Sequence, residues 1–600
     1  MSRSTPEPND SIAKLLLTVG FLAITAATLI AHISPASGYE VSIYTMTPTS
    51  VWIGLGMAVM ISLLVAVHSV HDTARDIRAV AFALGGTAMV VVASLPIVRG
   101  YHYNGQTDSM THLGWASAIS EQSLSPFELF YPGIHTVSTI IESTVGLSLR
   151  HAMLLLAVLS VLVFFVFVPL SVQTIRPGPA ALTVSVFASF LLLPITTIST
   201  HMHPHAMSQT VLLSALFVFV TLKYLLLSQQ VSNRTAFGYL LALVSATFVV
   251  YHPQFVAHML VVFAGICGLQ FVAGRLDTDR AIATYPKLYA QTSFLAVVFA
   301  VWILNNQSIA GFARDAVGSA ILYILGDSGE AGEAIAAQGA SIAAIGGSIE
   351  EVFLRLFVPQ LLFSMLAVAI FATALVERWP ADQRDVSSMA ISFAVALAGL
   401  LVVFFVYFFG DTSEMYFRVF GLMMVFVTIL GALVLTPLVD RAARATGGYT
   451  VNSLFVAGFG ILLIVSLIAI FPSPFVYNQS HHVTEADMSG YERAYENADD
   501  DLTFLGIRSA PNRYDDAVNA NHERSSVHGT LNGTAAEQGL SDFYDKNTYL
   551  TISQTDRDRE TIAYQGLRYT DGDFDDLTSS QDVDRVQSNG QLDVYLVRAE

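Results

Sequence analysis

The side chains best suited to chemistry gather in residues 98–150. The segment reads Arg99-Gly-Tyr-His102-Tyr, then Asp108-Ser-Met-Thr-His112-Leu-Gly-Trp115, and later Tyr131-Pro-Gly-Ile-His135. A helix beginning at Ser109 would put Asp108 at its N-cap, where a carboxylate accepts hydrogen bonds from free backbone amides. Asp108 and His112 are four residues apart and share one face of that helix. A carboxylate beside an imidazole at a lipid boundary is partly desolvated and becomes more basic. It can then take a proton from an acceptor hydroxyl. Two readings stand side by side: a cap alone, or a cap that is also a general base. Trp115 and Ile119 extend the same helix into an apolar stripe suited to lying on a membrane surface.

Further candidates fall at helix junctions. His201-Met-His203-Pro-His205 and Tyr251-His252-Pro-Gln254 could supply three or four imidazoles to zinc or another divalent cation. Alternate spacing across a proline turn does not fix a facial ligand geometry, so a cofactor is a possibility and not an expectation. Turn residues that hydrogen-bond a phosphate or a sugar, and plain capped turns, fit the same residues. Arg418 follows Asp411 and Glu414 and falls just inside an apolar boundary, where an unpaired charge is costly. It either pairs with one of those carboxylates or holds an anionic phosphate, for which a guanidinium fork is well shaped. Arg355 is a weaker candidate for the same task.

The elements that must position these groups are membrane helices. Of 600 residues, 53% are hydrophobic and 13% charged, against roughly 25% charged in a soluble protein. Apolar runs of about 20 residues, enough to cross the hydrocarbon core, lie near 12–33, 51–70, 77–97, 151–172, 179–199, 206–228, 237–251, 254–274, 287–305, 351–376, 386–410, 416–438 and 451–472. With the N-terminus inside, the inner segments carry 14 basic residues and the outer ones five. That asymmetry sets the N-terminus in the cytoplasm and the tail outside the cell. Ten of the 16 histidines then fall on outer loops or outer helix ends, which marks an outward-facing polar site. The expected fold is an all-α polytopic membrane protein of about 13 transmembrane helices with a C-terminal extracellular α+β domain. Its parts are 1–76, a cytoplasmic segment with two transmembrane helices; 77–472, the main membrane domain, with outer loops 98–150 and 306–350; and 473–600, the acidic tail.

Charge and cysteine narrow the class. Residues 481–600 hold 24 acidic and 10 basic side chains, most of the net charge of −18. An acidic tail without a basic stripe argues against nucleic acid. Only four residues are lysine; dense carboxylates and scarce lysine fit a halophilic source, as an arginine-preferring genome also would. The single Cys267 lies in an apolar run and excludes a disulfide framework.

The segment Asp108 to Trp115, with Tyr131-Pro-Gly-Ile-His135 and more than ten apolar spans, resembles the GT-C glycosyltransferases. Within them it is similar to haloarchaeal dolichyl-phosphate-mannose mannosyltransferases of surface-layer N-glycosylation. The resemblance implies an inverting transferase in the cell membrane that moves mannose from dolichyl phosphate to a glycan on dolichol or on a surface glycoprotein. It implies Asp108 as base with His112 beside it and adds Tyr131 and His135 to the site; Arg418, His203, His205, His252 and Arg355, read from their own chemistry, are the further donor-phosphate or substrate candidates. Two departures stand out: the Asp loop follows the third span where the family has it after the first, and the Trp-Trp-Asp-Tyr-Gly motif of oligosaccharyltransferases is absent. The rival from another class is a transporter or flippase of polyprenyl-linked sugars, whose polar site would lie near the midplane between repeats. A receptor with a sensing tail is a third reading, and it leaves the one-sided histidines unexplained.

Overall fold

The computed structural model describes all residues except 1–7, 71–74, 201, 227–230, 277–280, 306–313, 316, 323–324, 326–332, 377–382, 411–414, 445–447, 500, 521–527, 532–539 and 600. Each of the thirteen apolar runs is helical over at least part of its length. In chain order the helices are α1 (Pro8–Ile33), α2 (Thr49–His68), α3 (Arg75–Val98), the loop helices α4 (Asp108–Ser120) and α5 (Gly133–Val145), then α6 (Leu149–Ile175), α7 (Pro179–Phe190) and α8 (Ala206–Leu226). They continue as α9 (Val231–Tyr251), α10 (Pro253–Arg275), α11 (Tyr289–Leu304), α12 (Ile349–Leu356), α13 (Val358–Val376), α14 (Arg384–Phe409), α15 (Met415–Arg444) and α16 (Gly448–Leu467). Among the described residues nine helices are long and apolar enough to cross a membrane, and four more apolar helices are shorter. The chain is a multi-pass helical membrane protein.

Two spans depart from the sequence expectation, each for a local reason. The fifth run was expected to continue to residue 199, but α7 stops at Phe190. Pro194 keeps Leu193 out of the helical region, and Leu192 adopts a left-handed φ of 46°. The non-helical stretch that follows is buried, and its polar groups find partners. Thr200 donates to the Ala469 carbonyl at 2.7 Å, Gln360 to that of Leu193 at 3.2 Å, and Asn104 to that of Met202 at 3.0 Å. Irregular backbone among membrane helices persists only where protein covers it in this way. The tenth run divides into α12 and α13 at Phe357, because Pro359 has no N–H and its ring would meet the Arg355 carbonyl one turn back. Within the long connection 306–350, residues Glu333–Ala344 form a helix.

The bundle closes through α6 against α8, α7 against α15, and α10 against α14, around fully buried phenylalanines such as Phe164, Phe187, Phe217 and Phe263. The tail is an α+β unit, as expected. Strands β3 (Thr503–Gly506), β4 (Gly529–Thr530), β5 (Thr548–Ser553), β6 (Val583–Ser588) and β7 (Leu592–Val597) form one mixed sheet in the order β4-β3-β5-β7-β6. Helices α17 (Glu485–Asn497), α18 (Pro511–Asn519) and α19 (Asp571–Ser579) accompany it.

The tail is joined to the loops at one end of the bundle. Strand β1 (Tyr103–Asn104) pairs antiparallel with β2 (His482–Val483), setting Tyr103 opposite Val483. Beside this ribbon Arg99 and Glu40 form an ion pair, both side chains under 5% exposed. Tyr101 donates to Glu40 at 2.5 Å and stacks on His482 at 3.8 Å. Fully buried Arg559 reaches the Tyr39 hydroxyl at 3.2 Å. Such a pair is costly to break from one side, because the remaining charge stays buried.

Candidate functional site

Helix α4 begins at Asp108 itself, and Thr107, with φ 58° and no side-chain cap, holds the cap position. The expectation of Asp108 as N-cap is therefore shifted by one residue. The Asp108 carboxylate faces the tail, where Arg513 of α18 meets its Oδ1 at 3.1 Å. The same guanidinium donates to Thr111 at 2.9 Å and lies 3.5 Å from Asp516. Thr111 in turn donates to Asp516 at 2.6 Å. These contacts need α18 to come very close to α4. A Cβ on Gly114 would stand 1.9 Å from the Asp516 carbonyl oxygen, so only glycine fits there. The sequence expectation of a surface-lying amphipathic α4 is corrected by this packing. Met110, Thr111, Gly114, Ala116 and Ala118 are all buried, because the tail covers one side and α5 and α6 the other. It is α5 that leaves apolar side chains open, at Ile140 and Val145.

One turn beyond Asp108, the ring of His112 enters a cluster assembled from three junctions. His112 Nδ1 lies 3.2 Å from His135 Nε2, and its ring centroid is 6.1 Å from that of His205. Trp115 and Tyr131 flank it, both at 5.7 Å. Tyr131 stacks on His252 at 5.1 Å. The Tyr131-Pro-Gly turn is fixed from two sides. Trp302 of α11 donates to the Phe130 carbonyl at 2.8 Å, and Gly133 packs where a Cβ would be 2.6 Å from the Tyr251 Cα. His205 Nδ1 lies 3.0 Å from the Ser208 hydroxyl.

Arg418, at the start of α15, completes the arrangement by donating to Gln254 at 3.0 Å. Burial, then the Arg418 charge, then His112 hold His205 well below the ordinary imidazole range. Burial and Arg418 act alike on His252, and burial and His112 on His135. All three shifts favour the neutral ring, and two of the rings, His205 and His252, stand beside a guanidinium. Neutral imidazoles offer N–H donors without repelling that cation, a lining suited to an anion with polar substituents.

The sequence candidates separate into those brought together and those not. His112, Tyr131, His135, His205, His252 and Arg418 share one neighbourhood, and Asp108 stands one helical turn from His112 with its carboxylate on Arg513. His203 lies at its edge, acting on His205 and meeting His481 of the tail with centroids 4.7 Å apart. Arg355 is engaged elsewhere: it pairs with Glu351, donates to the Phe475 carbonyl and lies over the Phe475 ring at 4.2 Å. The structure does not bring it to the cluster. His201 lies outside the described residues, as do Asp411 and Glu414, the carboxylates expected near Arg418. Among the described residues no three His, Cys, Asp or Glu side chains converge as a metal site requires. Sequence reasoning missed Arg513 and Asp516, which lie some 400 residues from Asp108 with no local signal. Gln254 stood within the Tyr251-His252-Pro-Gln254 turn, but its bond to Arg418 was not foreseen.

No family profile and no curated protein matches the chain. Among solved structures it is similar to ArnT from Cupriavidus metallidurans bound to undecaprenyl phosphate, at 12% identity, 87% of this chain, 98% of that chain and TM-score 0.38. It is also similar to the Archaeoglobus fulgidus oligosaccharyltransferase in complex with zinc and sulfate. There the identity is 10%, over 85% of this chain and 72% of that chain, with TM-score 0.45. At TM-scores below 0.5 these are loose likenesses of overall shape.

Proposed function

We propose that the chain is a membrane glycosyltransferase of the GT-C kind that takes its sugar from a polyprenyl-phosphate donor. In its finer form the donor is dolichyl-phosphate mannose and the acceptor a glycan on dolichol or on a surface-layer glycoprotein. The reaction then lies at the outer face of the cell membrane, where the tail also resides. The observation that carries the reading is Arg418, held by Gln254 beside the neutral imidazoles of His205 and His252, in a cluster whose far side, His112, is one helical turn from Asp108. The motif resemblance from Asp108 to His135 supports the same assignment.

In this scheme an acceptor hydroxyl attacks the anomeric carbon of the donor from the face opposite the phosphate. The new C–O bond forms as the bond to the phosphate oxygen breaks, and that electron pair leaves with the phosphate. The hydroxyl proton passes to the Asp108 carboxylate, so the anomeric configuration inverts. Arg418 and imidazole N–H groups stabilise the charge that grows on the leaving phosphate, where fixed donors act most strongly. Arg513 orients Asp108 and couples the tail to the reacting centre. The polar cluster sits at helix ends and loops, which disfavours the flippase reading, because that needs a polar site near the midplane.

Vesicles containing the purified protein, labelled dolichyl-phosphate sugars and extracted glycan acceptors test the reading. Label should pass to the acceptor, with dolichyl-phosphate mannose the preferred donor. Equilibration of labelled lipid across the bilayer without transfer would establish the flippase instead.

A further inference from the structure

A polar cavity of about 670 Å³ opens on the other side of the β1–β2 ribbon. That volume is in the usual range for small-molecule sites, about 300–1,000 Å³. His482 of β2 lines the cavity, whereas His481, the residue before it, turns to His203, the neighbour of His205 in the cluster. The ribbon therefore separates this cleft from the histidine cluster.

The charges of the cleft run against those of the molecule. On a chain of net charge −18, its walls present Arg150 and Arg493 against Glu485, while His102, held below the ordinary imidazole range by burial and by the Arg150 charge, and His151 add polar groups. Arg150 donates to His102 at 3.2 Å, and its Nε is buried without a hydrogen-bond partner. Among the described residues neither Arg150 nor Arg493 makes an ion pair. Glu485 and Arg493 lie eight residues apart on one face of α17, with Ser489 between them. Two helix starts border the same space: α6 through Arg150 and His151, and α17 through Thr484 and Glu485. Helix N-termini favour negative charge. Ser37, Ser489 and Gln591 add hydroxyls and an amide, groups that recognise a polyhydroxylated ligand.

We propose that this cleft binds an anionic sugar, a polyhydroxylated unit carrying a carboxylate or a phosphate, at a site distinct from the histidine cluster. The anion faces Arg150 and Arg493, and the hydroxyls face the serines, Thr484 and Gln591. Such a site gives the tail a ligand of its own, and its occupancy requires no donor lipid.

Equilibrium binding to the full-length protein in detergent tests this without turnover, so it stands or falls apart from the transferase reading. The probes are glucuronate, glucose 6-phosphate, glucose, inorganic phosphate and glycerol 3-phosphate. Glucuronate and glucose 6-phosphate should bind at least tenfold more tightly than glucose. Arg493→Gln, at an exposed position, should weaken both at least tenfold, and Arg150→Gln should do the same. Arg418→Ala should leave them unchanged. Inorganic phosphate binding as tightly as the sugars would reduce the cleft to an ion site. Glycerol 3-phosphate binding as tightly would make it a lipid-headgroup site, and either outcome overturns the proposal. So would affinities indifferent to Arg493→Gln, or no binding at all.

Discussion

Arg418 carries the sharpest claim about a single side chain. If it stabilises the leaving phosphate, Arg418→Ala should lower kcat by about 10²–10³-fold at saturating donor, the cost of removing one such donor elsewhere. Lysine keeps the charge without the fork, so Arg418→Lys should lose less. Full turnover at saturating donor for Arg418→Ala would remove the phosphate role. Arg513 acts differently, because it touches Asp108 and no expected part of the substrate. Arg513→Gln should lower kcat, by up to about 10²-fold for a misplaced catalytic group, with the donor KM little changed, and Arg513→Lys should recover part of the loss. An equal rise in KM would instead place Arg513 in substrate binding. Much of this scale was legible in the sequence. Asp108, His112 and His135 lie in one loop, the first two at helical spacing, and Arg418 stood out as a charge at an apolar boundary. Arg513 was not legible, since nothing local distinguishes it from the other basic residues of an acidic tail.

Helix α4 is held by contacts that a sequence read in isolation gives no reason to expect. Its Trp115 and Ile119 suggested a helix lying on a membrane, and the structure instead sets α18 against it through Gly114. Gly114→Ala should therefore push α18 away, at the roughly 1–3 kcal/mol typical of overpacking, and loosen Arg513 from Asp108. A lower melting temperature together with reduced turnover is the expected pair of results; an unchanged melting temperature would show that the two helices do not pack this closely. The spans show the same division. Run length located all nine helices of membrane-spanning length among the described residues, yet the early end of α7 and the break before α13 depend on Pro194 and Pro359, which a hydropathy window averages away. The interface between loops and tail should also respond to pH. Burial, with Arg150, holds His102 down to about 4; burial, with Arg559, holds His481 down to about 4; and burial, with Arg99, holds His482 down to about 3. Depressed imidazoles contribute stability that is fully present above the ordinary value near 6.5 and is lost as pH falls through that value towards 3–4. Burial raises Asp487 to about 6, which acts oppositely: its contribution is present at low pH and lost as pH rises through 6. Three imidazoles against one carboxyl give a melting temperature level above pH 7 and falling between about pH 6 and 4. A melting temperature that rises over that interval would contradict the docked arrangement.

At the scale of the whole molecule the reading depends on which face of the membrane holds the histidine cluster and the tail. In a Cys267→Ser background, cysteines at Ser123 and Ser580, both exposed, should react with an impermeant maleimide on intact cells. One at Thr284, on the connection between α10 and α11, should react only after permeabilisation. Labelling of Thr284→Cys in intact cells would invert the orientation and with it the proposed reaction face. The most direct test of the central claim is transfer itself, in wild type and in Asp108→Asn, with labelled dolichyl-phosphate mannose and extracted glycan acceptors. Asparagine preserves the size and polarity of the side chain but cannot take the proton. A protein that inserts and melts normally while losing about 10²–10⁴-fold in transfer rate is the predicted result. Near-normal transfer by Asp108→Asn would contradict it.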